Sequence, residues 1–81
     1  MWHYARMTIH THINPDVWIR RLFSEQNALN GGIVRRPVRD VDLIMGRAAF
    51  AEEVRRRGFH AFENRGQYVV FCNRDQLRIV D

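Results

Sequence analysis

The 81-residue chain contains no lysine: all 13 basic residues are arginines, set against nine acids for a net charge of +4. Without lysine there is no Walker-type phosphate loop, and Asn30-Gly31-Gly32 reads as the end of a helix, since a phosphate loop places its glycines ahead of one. Cys72 is the only cysteine. An intramolecular disulfide and a four-cysteine zinc ribbon are therefore excluded, and a reducing compartment fits best. Ser24 is the only serine and has no His-Asp pattern near it to activate a nucleophile. The longest unbroken apolar run, Tyr68-Val69-Val70-Phe71-Cys72, falls far short of the ~18 residues of a membrane span. The opening residues Met1-Trp2-His3-Tyr4-Ala5-Arg6 form no apolar signal core with a small-residue cleavage site, so a cytoplasmic location in a bacterial cell is the expectation.

What is present has a globular balance, with 46% apolar and 27% charged residues. One α+β domain over residues 1–81 is expected. A chain this short buries only a little over ~60% of its unfolded surface, which leaves a margin of a few kcal/mol. Trp18, Leu22, Phe50, Val54, Phe62, Val69 and Phe71 are the expected core.

Residues 4–13 alternate, with Met7, Ile9 and Ile13 on one side and Thr8, His10 and His12 on the other, which predicts a strand. Asn14-Pro15-Asp16 supplies an N-cap, a proline at the first helical position and an acid in the first turn. The helix it opens is predicted to run to Leu29, with Ser24 on its surface, and to stop at Asn30-Gly31-Gly32. Ile33–Val38 is a short strand that Pro37 pushes to an edge or a loop. A second helix is predicted from Asp40 to Arg57, with a break at Gly46, before Gly58 ends it. Phe59–Glu63 and Gln67–Cys72 flank Asn64-Arg65-Gly66 as a hairpin with a three-residue loop, and Gln76–Val80 reads as a last strand. The expected order is β-α-(β)-α-β-β-β, two helices on one face of a mainly antiparallel sheet.

Candidate chemistry is sparse. His10 and His12 project from one side of a strand and, with His60, are the only histidine set to weigh as metal ligands, but a site needs three or four convergent groups. No metal and no cofactor are expected. Cys72 lies in the most apolar stretch, where burial raises a thiol's pKa and makes it inert. Asp40 with Asp42 reads as helix N-terminal charge, and Glu52 with Glu53 as the solvated side of the second helix.

Arginine is the remaining signal, because its planar fork suits phosphate and carboxylate groups. Arg35, Arg36 and Arg39 cluster between the two helices, and Arg55-Arg56-Arg57 ends the second. Arg65, Arg74 and Arg78 fall on the hairpin side. With Trp2, Tyr4 and Tyr68 this composition suits a nucleic-acid surface, while codon usage in GC-rich genomes also favours arginine over lysine. Three consecutive arginines point in three helical directions and do not meet one partner together.

The order helix, Gly58-Phe59, strand, Arg65-Gly66, strand, turn, strand over residues 47–80 resembles the core of hic-type toxin ribonucleases, which have a double-stranded-RNA-binding-like fold. In that family a histidine after the hairpin glycine does the catalysis. Here Gln67 follows Gly66 and His60 is not at the matching place, so the resemblance carries over no catalytic residue. The chain as a whole, by its length, its missing catalytic set and its arginine-only basicity, resembles the small inhibitors encoded by phages and mobile elements, anti-CRISPR proteins among them. That resemblance implies a non-enzymatic protein that blocks a host nucleic-acid-processing complex by steric occlusion. Its basic charge argues against DNA mimicry. The expected contact residues are Arg35, Arg36, Arg39, Arg55 and Arg56. The expected partner is a protein subunit of that complex or its nucleic acid, met by a monomer or small homo-oligomer and without a membrane. The alternatives are a direct DNA- or RNA-binding regulator using the same arginines, and a small histidine-based metal protein or ribonuclease-like toxin.

Overall fold

Asn14-Pro15-Asp16 starts a helix for reasons local to those three residues. In the computed structural model, which describes residues 13–81, Asn14 Oδ1 accepts from the backbone N–H of Asp16 at 2.8 Å and of Val17 at 3.3 Å. Pro15 has no N–H to leave unpaired, and Asp16 places negative charge on the positive end of the helix dipole. The resulting helix α1 (Pro15–Leu22) is shorter than the predicted run to Leu29. Ser24 donates its hydroxyl to the Arg20 carbonyl at 2.7 Å, and such a side-chain bond competes with continuation of the helix. Ser24 therefore lies in a turn rather than within a helix, and a separate short helix α2 (Gln26–Leu29) follows. The predicted strand over residues 4–13 falls, but for Ile13, outside the described residues.

Strand β1 (Ile33–Pro37) ends on the proline, which cannot donate to a ladder, and it occupies a sheet edge as its sequence requires. Helix α3 (Val38–Ile44) begins directly after Pro37, ahead of the predicted start at Asp40. Gly46, at φ 85°, then separates α3 from α4 (Arg47–Arg56). That left-handed conformation is open to glycine and costly for a residue with a Cβ, so the break falls where the sequence put it.

Strands β2 (His60–Asn64) and β3 (Gln67–Phe71) pair antiparallel. Asn64 pairs with Gln67, so the loop is the two residues Arg65-Gly66 rather than three. Both have positive φ, 52° and 75°, which is the twist-compatible primed turn that joins tight hairpins. β1 pairs antiparallel on the other side of β3, giving the order β1-β3-β2. Both sides of β3 are thus taken, so the stretch after it cannot fold back as a hairpin onto β3. Residues 74–81 form no strand, and Ile79 and Val80 are 89% and 92% exposed; the predicted strand Gln76–Val80 is not formed.

The fold is α+β. Val34, Tyr68, Val70 and Cys72 line one face of the sheet, and Ile19, Leu22, Ala28, Val41, Phe50 and Val54 from the four helices pack against it. The Phe50 and Tyr68 rings stack at 5.1 Å. Leu22, Phe50 and Val54 are buried as expected and Trp18 is partly so, but Phe62, Val69 and Phe71 are not in this core. Side chains alternate along a strand, and with Tyr68 and Val70 inside, Val69 and Phe71 point away. Phe62 opposes Val69 in register and shares its outward face.

Candidate interaction surface

A basic surface depends on which guanidinium groups carry their charge unopposed, so each arginine is placed by its partners. Arg55 bonds Glu52 one turn back on α4. Glu53 accepts from both Arg56 at 2.7 Å and Arg57 at 2.6 Å, and Arg57 also donates to the Glu53 carbonyl at 2.9 Å. These bonds, that of Arg57 first and that of Arg56 next, hold the Glu53 carboxyl below the usual carboxylate range. The Arg57 guanidinium also lies over the Phe23 ring, 4.7 Å from its centroid. The arginine run at the end of α4 is thereby largely offset by its own helix, with two carboxylates shared among three guanidinium groups. Glu52 and Glu53 are ion-pair acceptors there, not merely a solvated side.

Between the helices the three expected residues separate. Arg36 forms an ion pair with Glu25 and donates to the Arg35 carbonyl at 2.6 Å. Arg35 and Arg39 are exposed and have no carboxylate within ion-pair distance among the described residues. Of the five expected contact residues, Arg36, Arg55 and Arg56 are paired, and Arg35 and Arg39 have no ion-pair partner among the described residues. Exposed pairs of this kind contribute at most ~1 kcal/mol, so they do not lock the side chains, but each carries its counter-charge to any approaching anion.

Register explains why Arg35 stands apart. It opposes Val69 on β3, as Phe62 does from the other side, so all three point outward. Ile33, Phe71 and His60 form the next row of that outer face, and Pro37, Gln67 and Asn64 the third. Among these residues there is no carboxylate. Glu63, the acid nearest in sequence, points to the opposite side and bonds Arg47 at 2.7 Å. Phe62 is 52% exposed, and its ring meets Phe71 edge-on at 5.8 Å. This acid-free face, part apolar and part cationic, was hidden in the sequence by the uniform hydrophobicity of Tyr68–Cys72, which gives no phase to the alternation.

The titratable groups with candidate chemistry have structural partners. His60 Nε2 lies 3.0 Å from the Asp75 carbonyl; a carbonyl oxygen only accepts, so Nε2 carries the proton and donates. His10 and His12 lie outside the described residues. Among the described residues no three His, Cys, Asp or Glu side chains converge as metal ligands. Burial pushes the Cys72 thiol up, and its Sγ–H points to the Val70 carbonyl at 3.8 Å. Tyr68 donates to Asp42 Oδ1 at 3.1 Å, and burial followed by that bond raises its phenol above the ordinary value. An open groove of about 360 Å³ between α4 and β2 is bordered by Ala51, Arg55, Phe59 and His60, with no second charged group to converge on a ligand. Among the described residues no helix is long and apolar enough to cross a membrane. Comparison with known proteins finds no matching family model, curated protein or solved structure.

Proposed function

We propose that this chain is a small non-enzymatic binding protein that inhibits or accompanies a bacterial nucleic-acid-processing complex by occluding its working surface, in the manner of phage- and mobile-element-encoded inhibitors. One observation carries the reading: the outer face of the sheet combines exposed Phe62 and Ile33 with Arg35, which is unpaired among the described residues, and its outward strand residues include no acid. Surfaces with apolar and aromatic residues beside arginine are the composition favoured at the centres of binding interfaces. Arg39, in the first turn of α3, adds a second unopposed cation just beyond the end of β1.

The pairing pattern ranks the arginines for test. Charge reversal at Arg35 and Arg39 is expected to abolish capture of the complex from the source cell. Reversal at Arg55 and Arg56 is expected to weaken it far less, because Glu52 and Glu53 already offset those charges. Capture that survives Arg35→Glu/Arg39→Glu and fails with Arg55→Glu/Arg56→Glu would move the contact surface to the end of α4 and refute this assignment.

A further inference from the structure

We infer that the outer face of the sheet is a stacking platform for single-stranded RNA, with Phe62 beneath a base, Phe71 propping that ring edge-to-face, and Arg35 and Arg65 on the phosphates. The inference rests on the binding-protein reading above and names the component of the complex that this face would meet.

The aromatic placement comes first. Phe62 on β2 and Phe71 on β3 are diagonal neighbours on adjacent strands, and Phe62 is 52% exposed on a regular strand. Aromatic side chains held on an antiparallel sheet offer flat apolar surfaces that any base can cover, and stacking of this kind needs no particular sequence. Bases inside a duplex present only their edges to a protein, so the rings favour a single strand, whose bases can be splayed out.

Charge points the same way. A docking face for a neutral peptide gains nothing from Arg35, which stands exposed with no carboxylate within ion-pair distance among the described residues. Arg65 sits at the hairpin tip at φ 52°, a left-handed position that suits asparagine or glycine better than arginine. Its side chain is exposed at the end of the same sheet. A phosphodiester backbone is the anion that complements cations at both places, and forked guanidinium groups bind phosphate oxygens in pairs. Asn64 and Gln67 face each other across the hairpin end of the platform. Their amides donate and accept, which suits base edges and the ribose 2′-hydroxyl, and it is the 2′-hydroxyl that separates RNA from DNA.

Fluorescence anisotropy of the full chain with a labelled short oligouridylate tests the proposal. Binding is expected at low salt, with log affinity falling by about 0.7 per phosphate contact for each unit of log salt. Phe62→Ala is expected to weaken it about tenfold or more, as loss of one stacked base does. Arg35→Ala is expected to reduce the salt slope by about one contact. Phe62 is exposed, so its variant should keep the wild-type circular dichroism spectrum, and Arg55→Ala should bind as wild type does. Absence of RNA binding, equal binding of the matching DNA strand or an RNA duplex, or an unchanged Phe62→Ala affinity would each overturn the proposal. If RNA fails to bind while Arg35-dependent capture of the complex persists, the RNA assignment falls and the binding-protein reading stands. If Phe62→Ala lowers the melting midpoint by several degrees and no RNA binds, the chain itself covers the face. If instead a self-association is lost in that variant, a second copy does. Both results refute the platform.

Discussion

Tyr68→Phe isolates the junction at which α3, α4, β2 and β3 meet. Tyr68 is 4% exposed, its ring stacks on Phe50, and its hydroxyl donates to Asp42 at 3.1 Å. Arg47 reaches that hydroxyl at 3.5 Å while bonding Glu63. Phenylalanine keeps the ring and removes only the hydroxyl. Bonds to a charged group are worth ~1.5–3 kcal/mol, and the lower end applies because Asp42 is exposed and water replaces the lost donor. The long Arg47 contact adds little. A loss of ~1.5 kcal/mol lowers the melting midpoint of a chain this size by roughly 6–12 °C, whereas Tyr68→Ala, which also empties the ring's place in the core, is expected to cost ~3–5 kcal/mol. The pH dependence supplies a second reading of the same group. Its folded pKa is raised by burial, so the unfolded chain loses the phenolic proton first as pH rises. Stability is therefore intact below the ordinary value of ~10 and falls as pH climbs toward the folded one. Lysine, which would titrate in that range, is absent, and arginine does not deprotonate there. Cys72, whose thiol burial also raises, adds a loss of the same sign, so Tyr68→Phe should reduce this alkaline limb without abolishing it in urea titrations followed by circular dichroism. A Tyr68→Phe variant as unstable as Tyr68→Ala, or an alkaline limb unchanged by it, would refute the reasoning.

Two further outcomes follow from the titratable groups. Glu53 has a folded pKa below its ordinary value, so its contribution is present above pH ~4.3 and is lost as pH falls through the folded value. Glu53→Gln should cost no more than ~1 kcal/mol at neutral pH and should remove that acid-side loss, measured by urea unfolding at neutral and acidic pH. Cys72 is 3% exposed with a raised pKa. A thiol-specific reagent at neutral pH should thus modify the native chain only as fast as it opens, and the urea-unfolded chain at once; prompt native reaction would contradict the burial.

Local signals in the sequence became local structure. Asn14-Pro15-Asp16 caps a helix, Gly46 divides one, and Arg65-Gly66 turns a hairpin because each is a property of two or three adjacent residues. The phase of β3 was not legible. Tyr68 through Cys72 are all apolar, and only packing against Phe50 and Val34 decides that Tyr68, Val70 and Cys72 turn inward. The fate of the last ten residues was equally non-local, since it depends on β1 reaching across the chain to occupy the second side of β3. For the site, spacing revealed the Glu52–Arg55 and Glu53–Arg56 pairs in principle, as neighbours one helical turn apart. No spacing rule reveals Arg36 with Glu25 or Arg47 with Glu63, which lie on different elements.

The basicity of this chain is consequently governed by where its glutamates fall more than by where its arginines do. Arg55-Arg56-Arg57, the most conspicuous feature of the sequence, has each of its three charges paired to a carboxylate on its own helix, Glu52 or Glu53. A phosphate approaching Arg56 or Arg57 competes with Glu53, which holds both guanidinium groups, and one approaching Arg55 competes with Glu52. Arg35 has no carboxylate to displace among the described residues. Its neighbours Val69 and Phe62 are apolar, and a bound ligand that covers them lowers the local dielectric and strengthens the single charge at their edge. One isolated arginine on an apolar strand face is thus expected to be a stronger anion site than three consecutive arginines on a helix that carries its own counter-charge, and the reversal experiments at the two places measure that difference directly.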